Sequence, residues 1–321
     1  MSEEKFETHV MAEKVTPSYI ENMIITPDGK YLITASDDKP PYRFWDAHNL
    51  EEVELPDLLS NIPDIRGILA VTPDGKYLVA LYDKVTVISL SNPDEKNRTF
   101  KITDYITSHA VSNTHIYVYS SESDGIYSYE ISSGNEEKIS FKDPTTAIVV
   151  TPDNKYLLTR NSGGGIYRRH TSGRNRGYAE FSKPVANSPI SDLALSADGK
   201  YIFAVSGEGY FGRWDIKTGK MERLFEDLDV GGGFYRILPT PNKKYIFLYG
   251  VNNNLYEYDL STQNLIYSMD LESHAYDLLM DPLGNALFYS KGNTIHKIYA
   301  FTKTQQKEAF LSGLQLRDLN I

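Results

Sequence analysis

The chain has 321 residues, of which 40% are hydrophobic and 24% are charged, and its formal net charge is −10. This composition is typical of a soluble globular protein, and the negative charge argues against nucleic acid as a partner because phosphates would be repelled. Cysteine is absent, which excludes disulfides, thiolate metal sites and a cysteine nucleophile.

No apolar run approaches the roughly 20 residues that a membrane helix needs, and the acidic N-terminus MSEEKFETHV lacks the apolar core of a signal peptide. We therefore expect a cytoplasmic or other intracellular location without membrane insertion. The first predicted element is a strand at 5–12, KFETHVMA, whose side chains alternate as in an outer strand. Its partner depends on the architecture of the units that follow.

The phrase TPDGKYL occurs at 26–32 and again at 72–78, and weaker copies follow along the chain. Seven anchor residues begin the copies at spacings of 39–46 residues, namely Thr26, Thr72, Ser112, Thr151, Ser196, Thr240 and Asp281. A period of this length is typical of a four-stranded propeller blade.

Each unit contains the signals of four short strands. An apolar strand such as GILAV precedes the turn, and a strand rich in β-formers such as KYLVALY follows it. Pro-Asp-Gly is turn chemistry, because proline fixes φ, aspartate caps the turn and glycine accepts positive φ. A third strand ends in an aromatic and an acidic residue, as in YRFWD and FGRWD, and a short fourth strand follows. Sustained helical periodicity is absent.

One such meander cannot bury both of its faces, but seven can do so when they pack around an axis and close into a ring. The sequence therefore predicts an all-β protein, a seven-bladed β-propeller of four-stranded antiparallel blades, as a single domain over 1–321. We interpret TPDGKYL as the hairpin between the first and second strands of a blade rather than as a binding motif.

Two aromatic-acidic pairs, Trp45–Asp46 and Trp214–Asp215, resemble the pair that names the WD-repeat family, and Tyr129–Glu130 and Tyr258–Asp259 resemble softened versions of it. The resemblance extends over about 20–310. The Gly-His pair that opens most repeats of this family is missing, so the family's buried histidine network is not carried over. The resemblance implies a propeller that serves as a platform for other proteins.

The ring must also be closed. The resemblance implies that the strand at 5–12 completes the last blade as an N-terminal clasp, which is the interpretation that we favour. The alternative is that it adds a strand, because the last unit has a candidate fourth strand of its own near 307–310.

The run RNSGGGIYRRHTSGRNR at 160–176 is rich in arginine and free of acids within an acidic protein. Aligned by the turn that follows, Arg168–Arg169 fall where another blade has Trp214–Asp215. Because the planar guanidinium suits carboxylates and phosphates, the run is a candidate docking patch for an acidic or phosphorylated partner, formed by Arg160, Arg168, Arg169, Arg174 and Arg176. The alternative is a solvated edge whose arginines pair with acids of a neighbouring blade.

The inner strands supply a second candidate. Four residues before the last three anchors stand Asp192, Arg236 and Asp277, in consecutive blades. Because inner strands flank the central channel, these side chains could be neighbours. They are interpreted as an inter-blade salt-bridge network that locks the ring, with a polar channel site as the alternative.

Tyrosine and the turn motifs complete the set of candidates. The loops between second and third strands should share one face with the connections between blades, and with 24 tyrosines in the chain some must be exposed there. Exposed tyrosine suits protein recognition, whereas the alternative is packing between blades. The GxGxxG match at 207–212 joins two strands and no helix follows it, so it predicts a hairpin turn rather than a nucleotide site.

These patterns together favour a non-catalytic protein–protein interaction scaffold or adaptor, a subunit of a larger assembly, without cofactor or metal. Its expected partners are other proteins, and a small-molecule ligand is not excluded. The alternative is a propeller enzyme, a hydrolase or lyase, that uses Asp192, Arg236 and Asp277 at the channel. A weaker third option is a sensor that binds a small acidic ligand at the arginine run.

Overall fold

The computed structural model describes a closed ring of β-sheets. The described residues are 10–54, 67–82, 84–92, 94–102, 106–120, 125–140, 145–161, 163–172, 178–181, 189–223 and 232–299. Within these ranges the chain forms antiparallel strands and no helix. The predicted all-β, seven-bladed propeller is therefore confirmed.

The first four blades follow one another along the chain. Blade 1 contains β2 (Ile20–Ile25), β3 (Tyr31–Ser36) and β4 (Tyr42–Asp46). Blade 2 contains β5 (Ile68–Val71), β6 (Tyr77–Leu81), β7 (Lys84–Ser89) and β8 (Arg98–Lys101). Blade 3 contains β9 (Ile106–Val111), β10 (His115–Ser120), β11 (Gly125–Glu130) and β12 (Glu136–Ser140). Blade 4 contains β13 (Thr145–Val150), β14 (Tyr156–Asn161), β15 (Ile166–His170) and β16 (Tyr178–Glu180).

The last three blades complete the ring. Blade 5 contains β17 (Ile190–Leu195), β18 (Tyr201–Ser206), β19 (Phe211–Asp215) and β20 (Met221–Arg223). Blade 6 contains β21 (Phe234–Pro239), β22 (Tyr245–Gly250), β23 (Asn254–Asp259) and β24 (Leu265–Asp270). Blade 7 contains β25 (Leu278–Met280), β26 (Ala286–Lys291), β27 (Thr294–Tyr299) and, as its outermost strand, β1 (Val10–Val15).

The N-terminal strand and the C-terminal blade share one sheet. Strand β1 pairs antiparallel with β27, and Glu13 lies opposite His296. The distance between Glu13 Oε1 and His296 Nδ1 is 3.0 Å. The strand expected at 5–12 thus lies at Val10–Val15, with 5–9 outside the described residues. The alternative fourth strand near 307–310 also lies outside them.

The repeated phrase forms the same turn in successive blades. In blade 1 the Thr26 hydroxyl donates to Asp28 Oδ1 at 2.6 Å and accepts the Tyr31 N–H at 3.0 Å, while Gly29 adopts a φ of 70°. Thr72, Thr151, Ser196 and Thr240 make the equivalent bond to the start of the next strand. The phrase therefore recurs because each blade needs this local hydrogen-bond set between its first two strands.

The core of the ring lies between blades rather than within them. Each of seven apolar clusters joins neighbouring blades, and the cluster between blades 7 and 1 contains Met23, Trp45, Phe288 and Ile295. Inner strands contact those of the next blade, and β25 contacts β2. Closure of the ring therefore buries both faces of every described sheet.

Candidate functional site

The two faces of the ring differ in what the chain places there. The strands of a blade are antiparallel, so three features lie at the same end of the ring. They are the starts of the inner strands, the turns between second and third strands, and the connections between blades. We call that surface the top face. The turns that follow the anchor residues lie on the opposite, bottom face.

Aromatic side chains form a continuous exposed surface on the top face of blades 6, 7 and 1. We call it the tyrosine surface, and it consists of Tyr19, Tyr235, His274 and Tyr276. The exposed fractions of the three tyrosines are 48%, 44% and 49%, respectively. Exposure of three large rings in one patch is unusual for a surface that contacts only water.

The rings of the tyrosine surface contact one another in a chain. The Tyr19 and Tyr276 centroids are 5.5 Å apart at an interplanar angle of 72°. His274 lies 5.2 Å from Tyr276 at 87° and 5.5 Å from Tyr235 at 88°. Edge-to-face contacts of this kind are favourable, so the rings are held in a defined arrangement.

A buried tyrosine supports the surface from below. Tyr249 is 1% exposed, and its ring lies 6.1 Å from Tyr235 and 6.0 Å from His274. Its hydroxyl accepts the Ala275 N–H at 2.9 Å and donates to Asn253 Oδ1 at 3.1 Å. The connection that carries His274 and Tyr276 is therefore fixed to blade 6.

Arg236 lies within electrostatic range of Asp192 and of Asp277, and Arg160 lies within range of Asp192 and Arg236. Burial raises the pKa of Asp192, and the charges of Arg236 and Arg160 oppose that shift. Burial also raises the pKa of Asp277 to about 6, again opposed by Arg236. Arg236 thus stands between two carboxylates at the top end of the channel.

The carboxylates also join neighbouring blades through backbone groups. Asp192 Oδ2 accepts the Ile237 N–H at 3.1 Å, and the Met23 N–H acts on Asp277 and lowers its pKa. Two neutral residues at the same inner-strand position bond to the next blade in the same way. Asn22 Oδ1 accepts the Leu69 N–H at 2.9 Å, and the Ser108 hydroxyl accepts the Ile148 N–H at 3.0 Å. These backbone hydrogen bonds link neighbouring blades. The expected salt bridges of Arg236 with Asp192 and Asp277 are not among the ion pairs of the described residues.

The arginine run is divided between two places. Arg160, at the top of β14, donates from Nη1 to the Ile190 carbonyl of blade 5. Burial lowers its pKa, as does Arg236, while Asp192 opposes the shift. Arg160 therefore belongs to the channel cluster rather than to an outer patch.

Arg168 binds the neighbouring blade near the bottom face. Its Nη1 donates to the Ile216 carbonyl and, at 2.6 Å, to the Lys217 carbonyl. Its guanidinium also lies 5.0 Å from the centre of the Tyr156 ring and 5.9 Å from that of Phe181. The side chain is thus engaged within the ring, with carbonyls rather than the expected acids as its partners.

The remaining members of the run occupy other positions. Strand pairing places Arg169 opposite Leu157, as Trp214 lies opposite Ile202, so Arg169 and His170 take the positions of Trp214 and Asp215. The expected alignment of Arg168 with Trp214 was wrong by one residue. Arg174 and Arg176 lie outside the described residues.

The bottom half of the channel is apolar. Inner-strand residues of blades 2 to 5, among them Ala70, Val111, Val149 and Leu195, line a cavity of about 310 Å³. His109 is its one titratable lining residue, and burial lowers its pKa to about 4. His109 is therefore neutral at pH 7 and acts there as a packing residue.

Comparison with known proteins adds to this description. No protein-family model matches the chain. A stretch of 42 residues is 45% identical to Actin-interacting protein 1 of Caenorhabditis elegans, and it covers 13% of this chain and 7% of that protein. The chain thus matches only a small part of the length of this curated relative.

A solved structure matches nearly the whole chain. The β-propeller domain of Cps50 (Swd1) from Myceliophteria thermophila aligns with a TM-score of 0.74 over 92% of this chain and 100% of that chain, at 14% identity. The chain has the fold of a seven-bladed β-propeller. At this identity the likeness shows the fold alone.

The aromatic-acidic pairs of this propeller stabilise its hairpins. Trp45 is 1% exposed, and its Nε1 donates to the Thr34 hydroxyl at 2.9 Å. Asp46 Oδ1 accepts the His48 N–H at 2.8 Å, which closes the turn after β4. The pairs are therefore structural, as TPDGKYL is.

Metal-binding clusters and membrane-spanning helices are both absent from the residues that the structure describes. The described residues contain no group of three or more histidine, aspartate or glutamate side chains arranged to hold a metal ion. The part of the chain that the structure describes also contains no helix long and apolar enough to cross a membrane.

Sequence reasoning anticipated exposed tyrosines on this face but not which ones meet. In blades 1 and 6 the inner strand carries a bulge at its start, and the extra residues at the bulges, Glu21 and Tyr235, are both exposed. Tyr276 stands at the same distance before its anchor residue. That shared spacing was the signal that could have identified the surface.

Proposed function

We propose that this propeller is a non-catalytic protein–protein interaction scaffold or adaptor within a larger assembly, and that partners dock on its tyrosine surface. The observation that carries the proposal is the exposed chain of rings from Tyr19 through Tyr276 and His274 to Tyr235. Tyrosine gives a large contact area and a hydroxyl at low entropic cost, which makes it a frequent anchor of protein interfaces.

The rigidity of the support favours this role. Apolar clusters join the neighbouring blades, and Tyr249 fixes the connection that carries His274 and Tyr276. A surface that is already ordered loses little entropy when a partner binds. The tyrosine surface therefore meets the physical requirement for a docking platform.

The channel residues supply less support for the alternative of a propeller enzyme. Asp192 accepts a backbone hydrogen bond from the next blade, and Asp277 lies against the Met23 N–H. Both carboxylates therefore have a structural use in closing the ring. A hydrolase or lyase would need them free to contact a substrate.

The test is affinity purification of the protein from its native cells, combined with cross-linking and mass spectrometry. We expect a stable set of partners whose recovery falls at least about ten-fold when Tyr235 and Tyr276 are both changed to alanine, because hot-spot tyrosines contribute 2 kcal/mol or more each. Cross-links should reach lysines near the top face of blades 6, 7 and 1.

Tyr82→Ala provides the matched control. Tyr82 is 48% exposed and lies in the top-face hairpin of blade 2, away from the tyrosine surface. Its replacement should leave the partner set unchanged. Recovery of a lone monomer under gentle conditions, or equal loss of partners in the control, would overturn the proposal.

A further inference from the structure

The geometry of the tyrosine surface bears on what kind of group it binds. Tyr19 and Tyr276 meet at 72°, and His274 stands at 87° to Tyr276. Neighbouring rings that are nearly perpendicular present faces in two directions. A cation placed at such a corner can contact more than one negatively polarised ring face.

Negative charge lies directly behind these rings. Burial and a hydrogen bond with Tyr276 raise the pKa of Tyr19 to about 12, and the charge of Asp277 makes a smaller contribution in the same direction. Asp277 Oδ2 is buried, and it has no hydrogen-bond partner in the part of the chain that is described. A carboxylate oxygen that lacks a donor thus stands beside exposed aromatic rings.

The rim of the surface is acidic as well. Glu21 is exposed and occupies in blade 1 the inner-strand position that Tyr235 and Tyr276 occupy in blades 6 and 7. The side chain of Glu272 is 79% exposed and lies 3.9 Å from Lys291. The positive charge of Lys291 therefore compensates only part of the negative charge of Glu21 and Glu272.

Basic groups nearby do not reverse this balance. Arg236 faces both Asp192 and Asp277, so its charge is shared between two carboxylates. Arg160 faces Asp192 as well. These two bases and two acids cancel formally, which leaves the rim acids and the protein's net charge of −10 to set the local potential.

We propose that the tyrosine surface binds a basic segment of a partner protein, with an arginine or lysine side chain held against the rings of Tyr19 and Tyr276. This inference rests on the proposed scaffold function and adds the chemistry of the partner. Cation–π contact supplies the local attraction, and the rim acids Glu21 and Glu272 supply the charge complement.

The experiment titrates the full-length protein against a set of fluorescently labelled heptapeptides and follows their anisotropy. Glycine alternates with arginine in the probe, and the matched peptides carry lysine, glutamine or glutamate instead of arginine. We expect the arginine peptide to bind at least about ten-fold more tightly than the glutamine peptide, and its affinity to fall when salt is raised from about 50 to 200 mM.

Variants then locate the binding. Tyr276→Ala should weaken the arginine peptide about five-fold, since an exposed ring contributes a few-fold in affinity, whereas Tyr276→Phe keeps the ring and should bind normally. Glu21→Gln should weaken binding and reduce its salt dependence. Tyr82→Ala, which changes an equally exposed tyrosine elsewhere on the top face, should have no effect.

The outcomes separate this inference from the scaffold proposal. Tighter binding of the glutamate peptide, no preference among peptides, or equal loss with Tyr82→Ala would overturn the basic-segment inference. If cellular partners are nevertheless lost with the tyrosine variants, the proposal of a docking surface is supported and only the inference of a basic partner segment is wrong. Should Tyr276→Ala not fold, the exposed change Glu21→Gln decides the matter.

Discussion

Single polar side chains at one blade position link neighbouring blades. Arg168 on β15 and Lys297 on β27 lie at equivalent places, and each reaches two backbone carbonyls of the next blade. Lys297 Nζ donates to the Ala47 and His48 carbonyls at 2.9 and 2.8 Å. In blade 6 the same position holds the buried Glu257, whose pKa burial raises to about 8. The position is therefore polar in blades 4, 6 and 7, whereas Phe44 and Val87 occupy it in blades 1 and 2.

Replacement of Arg168 tests this structural role. We expect Arg168→Met to lower the free energy of unfolding by about 2 kcal/mol, because methionine keeps the apolar stem but loses the charge-assisted bonds to Ile216 and Lys217. Urea denaturation measures the effect, and Lys297→Met serves as the matched change in blade 7. Weaker partner binding with unchanged stability would instead support a docking role for Arg168.

The hairpin between the first two strands repeats as an element because its chemistry is local. Where this turn contains a glycine, the glycine also approaches the neighbouring blade. A Cβ added at Gly199 would lie 2.8 Å from Pro152 Cδ, whereas one at Gly75 would lie 3.9 Å from Pro27 Cδ. The φ values are 65° and 71°, respectively. The two positions therefore share a backbone conformation and differ in how closely a side chain would approach the neighbouring proline.

Alanine substitutions at Gly75 and Gly199 distinguish the cost of backbone strain from the cost of a steric clash with the neighbouring blade. Gly75→Ala should cost about 1 kcal/mol of stability, the usual penalty for a side chain at positive φ. Gly199→Ala should cost about 1 kcal/mol more, because Pro152 must also move. Thermal and urea unfolding of both variants test the difference. Equal losses would show that the turns of blades 4 and 5 move apart freely.

At the scale of the whole molecule, one sheet joins the two ends of the described chain. Strand β1 covers the outer edge of β27, and Lys14 Nζ lies 5.6 Å from the centre of the Trp45 ring in blade 1. Lys297 and Asp277 reach blade 1 from the same blade. Ring closure therefore depends on several contacts between blades 7 and 1.

Removal of β1 should weaken that closure. A chain that begins at Thr16 exposes the edge of β27, and an open strand edge favours pairing with other molecules. We expect a loss of about 3 kcal/mol, which corresponds to a fall of roughly 4–5 °C in the thermal midpoint of a chain of this length, together with a rise in light scattering. Glu13→Gln, which keeps the strand and loses one ion pair, is the control and should change the midpoint little.

The sequence by itself determined the number of blades, the strand order within each blade and the turns. These features depend on residues close together in the chain, such as Thr26, Asp28 and Gly29, and on alternation along short strands. The structural role of the Trp45–Asp46 pair was also readable from its place at the end of a strand.

Only the tertiary structure decided which distant side chains meet. Tyr19 contacts Tyr276 because ring closure brings blade 1 against blade 7. The division of Arg160 from Arg168 follows from strand register and side-chain direction. Local sequence patterns show neither which blades meet nor which side chains come into contact, because both depend on how the seven sheets pack around their axis. The tyrosine surface exists only after the ring has closed.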